Sequence, residues 1–247
     1  MDFKKIPGKK LKKLILSVAD PVEKENRFDV VKILVDIGVP VDYIQQIFQS
    51  RVVKYFQKYK DVLEKLLMLK AKDLAVKFIR RILKNDILIV DEFLEFKVIV
   101  DYLAEIVQKN PKYKIPSGKF QDVCRKIEAD YRKLHVENYD LPIDKNFDNI
   151  KLENGLVLEV PRRNHELIDM GVLMRNCLVY TEFGRRIWKE KSIIVFVYRN
   201  GNPVYVLEID PDFYEIVQFY GPCNSKPDKD DEKIVRRYVR ILRIGLE

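Results

Sequence analysis

From residue 9 to about residue 136, apolar side chains recur every three or four positions, the spacing of helices that bury one stripe and show the other to water. Residues 9 to 19 predict a surface amphipathic helix, ended by Asp20 and Pro21. "RFDVVKILVDIG" aligns Phe28, Val31, Leu34 and Val35 and runs into Gly38 and Pro40, which stop a helix. "VDYIQQIFQSRVVKYFQKY", opened by Asp42, puts Tyr43, Ile44, Ile47, Val52, Tyr55 and Phe56 mostly on one stripe. From Asp61, "DVLEKLLMLKAKDLAVKFIRRILKN" repeats the pattern through Leu63, Leu66, Leu67, Leu74, Phe78 and Leu83, with its lysines on the other side. "DEFLEFKVIVDYLAEIVQKN" begins at Asp91 and stops before Pro111. Ser117 then caps "SGKFQDVCRKIEADYRKLHVEN", in which Phe120, Cys124, Ile127, Tyr131 and Leu134 share a face.

After Leu141 and Pro142 the period shortens. "LPIDKNFDNIKLENG" is turn-rich, and "LVLEV" is a short strand closed by Pro161. "NHELIDMGVLM" predicts a helix capped by Asn164, and "LVYTEFGRRIWKEK" a second one with Phe183, Ile187 and Trp188 turned inward. Three strands follow, "SIIVFVYR", "PVYVLEID" and "YEIVQFYG", the first two joined through Asn200-Gly201, residues that tolerate the positive φ of a tight hairpin turn. A basic helix, "DKDDEKIVRRYVRILRIG", closes the pattern. The predicted class is α+β: an all-helical N-terminal region, residues 1–112, followed by a small antiparallel meander packed with helices, residues 113–247.

Of the 247 residues 47% are hydrophobic, enough for one large core or two modest ones and too apolar for a disordered chain. No stretch reaches the roughly 20 uncharged apolar residues of a membrane span. Cys124, Cys177 and Cys223 are odd in number and far apart, which fits a reducing cytoplasm rather than a disulfide framework. With only His135 and His165 beside them, no zinc spacing forms, and no metal or cofactor is expected. The net charge of +8 is concentrated. Between Arg51 and Lys84 eleven basic residues face three acidic ones, so this segment alone carries the +8 of the chain. Arg51, Lys54, Lys58, Lys65, Lys72, Lys77, Arg80, Arg81 and Lys84 are candidate contacts for nucleic-acid phosphates, without regard to sequence; the alternative use of such lysines is a solvated helix face.

"MRNCLVY" gathers the other candidate chemistry. Cys177, at a predicted helix start beside Arg175, would feel a positive potential that favours the thiolate, and Tyr180 lies one turn on. Glu208 and Gln218, on successive strands, would share a face of the sheet, with Asn224 just beyond. Cys177 as nucleophile would need a base, for which His165, Glu208 and His135 are the candidates. Against this stands a plain packing role, with Cys177 a small buried hydrophobe and Glu208, Gln218 and Asn224 satisfying backbone groups. For Trp188 core packing is the expectation and base stacking the alternative.

The run from "LMRNCLVY" through "YVLEID", "IVQFYG" and Asn224 to the closing basic helix resembles the C-terminal domain of PcfJ-like proteins, which occur in conjugative plasmids, phages and bacterial genomes. The resemblance covers about residues 165–243 and, more loosely, the helix ending in "LHVENYDL". It implies participation in DNA processing for conjugation. The family pattern usually carries histidine where this chain has Asn176, so a base or ligand there would be lost while a hydrogen-bonding role would survive. Three functions follow as expectations: a nucleic-acid-binding accessory protein, a cysteine-dependent enzyme, and a module that binds a protein partner.

Overall fold

The computed structural model describes residues 6, 8–50, 52–84, 89–179 and 182–245. The chain forms two compact units, Met1–Tyr131 and Arg132–Glu247, each with its own core.

In the first unit the elements are α1 (Lys9–Leu16), α2 (Pro21–Ile37), α3 (Val41–Gln49), α4 (Val53–Lys58), α5 (Lys60–Met68), α6 (Lys72–Lys84), α7 (Ile89–Lys109) and α8 (Phe120–Lys133), whose last two residues belong to the second unit. Asp20 caps α2 by accepting from the Val22 and Glu23 amides, with Pro21 at the first helical position. Gly38 ends it at φ 90°, a left-handed turn that costs glycine little. Two predicted long helices are instead pairs. The stretch 42–59 breaks at Ser50, whose hydroxyl turns back to donate to the Ile47 carbonyl, and the stretch 61–85 breaks at Lys70, which sits at φ 55°. The apolar stripes continue across both breaks, so the period alone does not reveal them. In this core Phe78 stacks on Phe96, ring centroids 3.9 Å apart, and meets Phe93 edge to face.

The second unit holds a five-stranded antiparallel meander, β1 (Ile150–Lys151), β2 (Leu156–Glu159), β3 (Ile193–Arg199), β4 (Asn202–Asp210) and β5 (Glu215–Tyr220), in sequential order. Helices α9 (Asn164–Met174) and α10 (Glu182–Trp188) lie between β2 and β3 in the chain, and α11 (Lys229–Ile244) follows β5. Asn200 and Gly201, at φ 51° and 75°, make the expected β3–β4 turn. The sheet has two packed faces. Val195, Val197, Tyr205, Leu207 and Phe219 meet Val235 and Val239 of α11, while Ile194, Phe196 and Val206 meet α9 and α10. The first face is pinned by a buried carboxylate: Asp231, 1% exposed, accepts from the Arg199 guanidinium and, at 2.7 Å, from the Tyr205 hydroxyl. Asp228 caps α11, and its own amide donates to the Tyr205 oxygen.

The fold is therefore α+β, helical first and sheet-bearing second. Two local expectations are corrected. Trp188 is 62% exposed; among the described side chains of the short α10, Phe183, Gly184, Arg186 and Ile187 face the protein. Asn164 is the first residue of α9 rather than its cap; buried, it uses its side-chain amide to donate to the Glu137 carbonyl.

Candidate functional site

The β4–β5 register sets Glu208 directly opposite Gln218 and Val206 opposite Tyr220, and the β3–β4 register sets Ile194 opposite Glu208. Paired residues share a sheet face, so Ile194, Glu208 and Gln218 form one row across three strands. Over this row lies the turn that follows α9. Arg175 closes α9 in the left-handed region at φ 52°, and the Asn176 amide donates to the Gly171 carbonyl. The Asn176 side chain accepts from the Leu178 amide and starts one 3₁₀ turn, Cys177–Val179. The turn can lie against α9 only because residue 171 is glycine. A Cβ there would come 2.4 Å from the Val179 nitrogen and 2.8 Å from the Leu178 carbonyl carbon.

Asn176, Cys177, Glu208, Gln218 and Asn224, named from the sequence, thus line one pocket together with Phe183, Ile194, Val206 and Tyr220. Its free space is about 20 Å³, enough for one water molecule, which needs roughly 10–15 Å³. Two polar side chains that sequence reasoning missed complete the surroundings of Glu208. Arg186 Nη2 stands 2.6 Å from Glu208 Oε1, and Ser192 Oγ donates to the same oxygen at 2.8 Å. Arg186 also stacks over Phe183, its guanidinium carbon 5.7 Å from the ring centre. Helical spacing from Phe183 to Arg186 was the only signal available.

The arrangement holds a half-buried thiol near a carboxylate that is already neutralised. Glu208 is 3% exposed and serves Arg186 and Ser192. His165 does not line the pocket, and its Nε2 lies 2.8 Å from the Val136 carbonyl oxygen, which fixes Nε2 as the protonated nitrogen. Arg175 is exposed and also outside the lining. Cys177 begins the 3₁₀ turn Cys177–Val179. Tyr180 lies outside the described residues. Cys124 is a packing thiol: burial pushes it up to about 12, with nearby Arg81 only partly opposing. The described residues hold no cluster of three or more His, Cys, Asp or Glu side chains placed for a metal ion.

In the helical unit the basic segment divides into two sets; Arg51 lies outside the described residues. Lys65 pairs with Asp101 at 2.5 Å, Lys77 with Asp73 at 3.4 Å, and Lys60 with Asp29 at 2.9 Å. Arg81 makes a two-pronged contact with Glu92, both prongs 2.6 Å long. Lys54, Lys58, Lys70, Lys72, Arg80 and Lys84 are exposed and have no acidic partner among the described residues. Lys54 and Lys58 lie over the rings of Tyr55 and Tyr59, and Arg80 over Tyr43.

None of the described helices is long and apolar enough to cross a membrane. No curated protein and no solved structure is significantly similar to this chain. The model of one family, described as PcfJ-like protein, matches residues 98–235. That span begins well upstream of the resembling stretch at 165–243; it takes in most of α7, all of α8, the pocket row and the start of α11. With more than half of its length matched, this chain belongs to the PcfJ-like family.

Proposed function

We propose that this protein is an accessory factor that holds nucleic acid through the exposed cations of its helical unit, independently of sequence, in the DNA-processing setting that the family resemblance implies. The observation that carries this reading is the set Lys54, Lys58, Lys70, Lys72, Arg80 and Lys84, which no carboxylate among the described residues neutralises. Such cations displace counterions condensed on a phosphate backbone, and that displacement drives binding. The ion-paired Lys65, Lys77 and Arg81 contribute less, because each would have to leave a partner first.

If most of the six cations contact phosphates, affinity for unrelated duplexes falls on the order of a thousand-fold between about 50 and about 200 mM salt. Combining Lys54→Glu, Lys72→Glu and Arg80→Glu flattens that dependence and weakens every duplex alike. Fluorescence anisotropy with labelled duplexes of differing sequence measures both. Affinity that ignores salt, or that survives the triple substitution, refutes the reading.

A further inference from the structure

The outward face of α10 has an organisation that the duplex-binding reading does not use. Arg185, Trp188 and Lys189 fall at i, i+3 and i+4 and are all exposed. The Trp188 indole makes no ring stacking and no cation contact with another described residue. With Glu137 and Tyr139 these three residues line an open cleft of about 310 Å³, at the small end of ligand sites.

The cleft is built rather than incidental. Gly184 brings α10 so close to its support that a Cβ would stand 2.0 Å from Asn164 Oδ1 and 2.7 Å from the Tyr139 hydroxyl. Asn164, 2% exposed, in turn holds the 137–139 segment in place: its side chain donates to the Glu137 carbonyl and its amide to the Tyr139 carbonyl. Burial raises the Tyr139 phenol, while Arg185 acts in the opposite sense.

We propose that Trp188 is a stacking platform for an unpaired nucleobase of single-stranded nucleic acid, with Arg185 and Lys189 taking the flanking phosphates. A flat, water-facing indole supplies the sequence-independent part of single-strand binding, and the cations Arg185, one turn before it, and Lys189, next to it, supply the part that tracks the backbone. A base in a duplex has both its faces stacked, so this site discriminates against duplex. Glu137 on the rim leaves the cleft a net single positive charge, which places most of the binding in the stack.

Trp188 is the only tryptophan of the chain, so its emission reads the site directly. Titrating the intact protein with a strand of about ten thymidines quenches that emission, whereas a duplex of equal length binds without quenching. Trp188→Ala weakens single-strand binding, followed by anisotropy of a labelled strand, by about five- to about a hundred-fold. Trp188→Phe restores most of it, and Arg185→Glu with Lys189→Glu weakens it while leaving duplex affinity unchanged. Unchanged emission at saturating single strand, native affinity in Trp188→Ala, or no single-strand binding at all overturns the proposal. The triple charge reversal in the helical unit weakens duplex binding without removing the quench, so the two readings fail separately.

Discussion

A carboxylate at 3% exposure is tolerated only when its charge is met, and Glu208 is met twice on a single oxygen, by Arg186 and Ser192. Removing one partner of such a pair strands the other, which costs more than the pair ever contributed. Arg186 is 39% exposed, so water softens that loss. Arg186→Ala is therefore expected to destabilise the second unit by about 2–3 kcal/mol. Adding Glu208→Gln to it recovers most of the loss, because an amide needs no counterion. Urea unfolding of the single and double variants measures the coupling, and additive losses would show that the two side chains do not depend on each other. The same pair explains what was legible here. That Glu208 and Gln218 share a face follows from strand alternation, a local rule. That Glu208 is paired with Arg186 depends on where α10 lies, and no local pattern encodes that.

At the scale of elements, the close approach of α9 to the turn Cys177–Val179 is what brings the thiol over the Glu208–Gln218 row. Gly171→Ala inserts a Cβ 2.4 Å from a backbone nitrogen, and neither the helix nor the turn has a flexible end to move aside. The expected result is a loss of about 1–3 kcal/mol, with the turn pushed off the sheet and Cys177 reacting faster with iodoacetamide than in the parent. Unchanged stability and unchanged labelling would mean that the turn yields freely and that glycine is not what positions the cysteine. A glycine inside a helix costs about 1 kcal/mol relative to alanine, so Gly171 was open to notice in the sequence as a residue in need of a reason. Other elements were legible where their signals are local: the Gly38 stop and the Asn200-Gly201 turn stand as expected, whereas Asp20 and Pro21, read only as the end of the first helix, also open the second. The breaks at Ser50 and Lys70 were hidden, since neither residue is a strong helix breaker and the stripe resumes on the far side. Trp188 was misread as inward because α10 is only seven residues long, and in so short a helix the buried face is set by what it packs on, not by its own period.

At the scale of the whole molecule, two compact units with separate cores also titrate differently. In the helical unit, burial pushes the Cys124 thiol from 9.0 up to about 12. The folded chain keeps that proton where the unfolded chain releases it. Stability is thus complete below about pH 9 and declines as pH rises towards 12, by at most about 1.4 kcal/mol per pH unit. Tyr113, raised by burial and then by its hydrogen bond to Asp130, adds to the decline as pH approaches and passes its ordinary value of 10.0. In the second unit the raised groups are tyrosines: Tyr139, Tyr198, Tyr205, Tyr214 and Tyr238, each lifted mainly by burial, so its alkaline loss sets in as pH approaches 10 and steepens beyond it. Moving from pH 8 to pH 10 should then cost the helical unit about 1.4 kcal/mol through Cys124 alone, while each raised tyrosine costs whichever unit holds it at most about 0.4 kcal/mol. Trp188, in the second unit, reports that unit's unfolding by fluorescence, while circular dichroism is weighted towards the helical one. In urea, Cys124→Ala should shrink the shift of the dichroism transition between pH 8 and pH 10 by about 1.4 kcal/mol and leave the shift of the fluorescence transition as in the parent, at the cost of a uniformly lower helical stability. If the dichroism shift survived Cys124→Ala in full, the buried thiol would not be what makes the helical core sensitive to base.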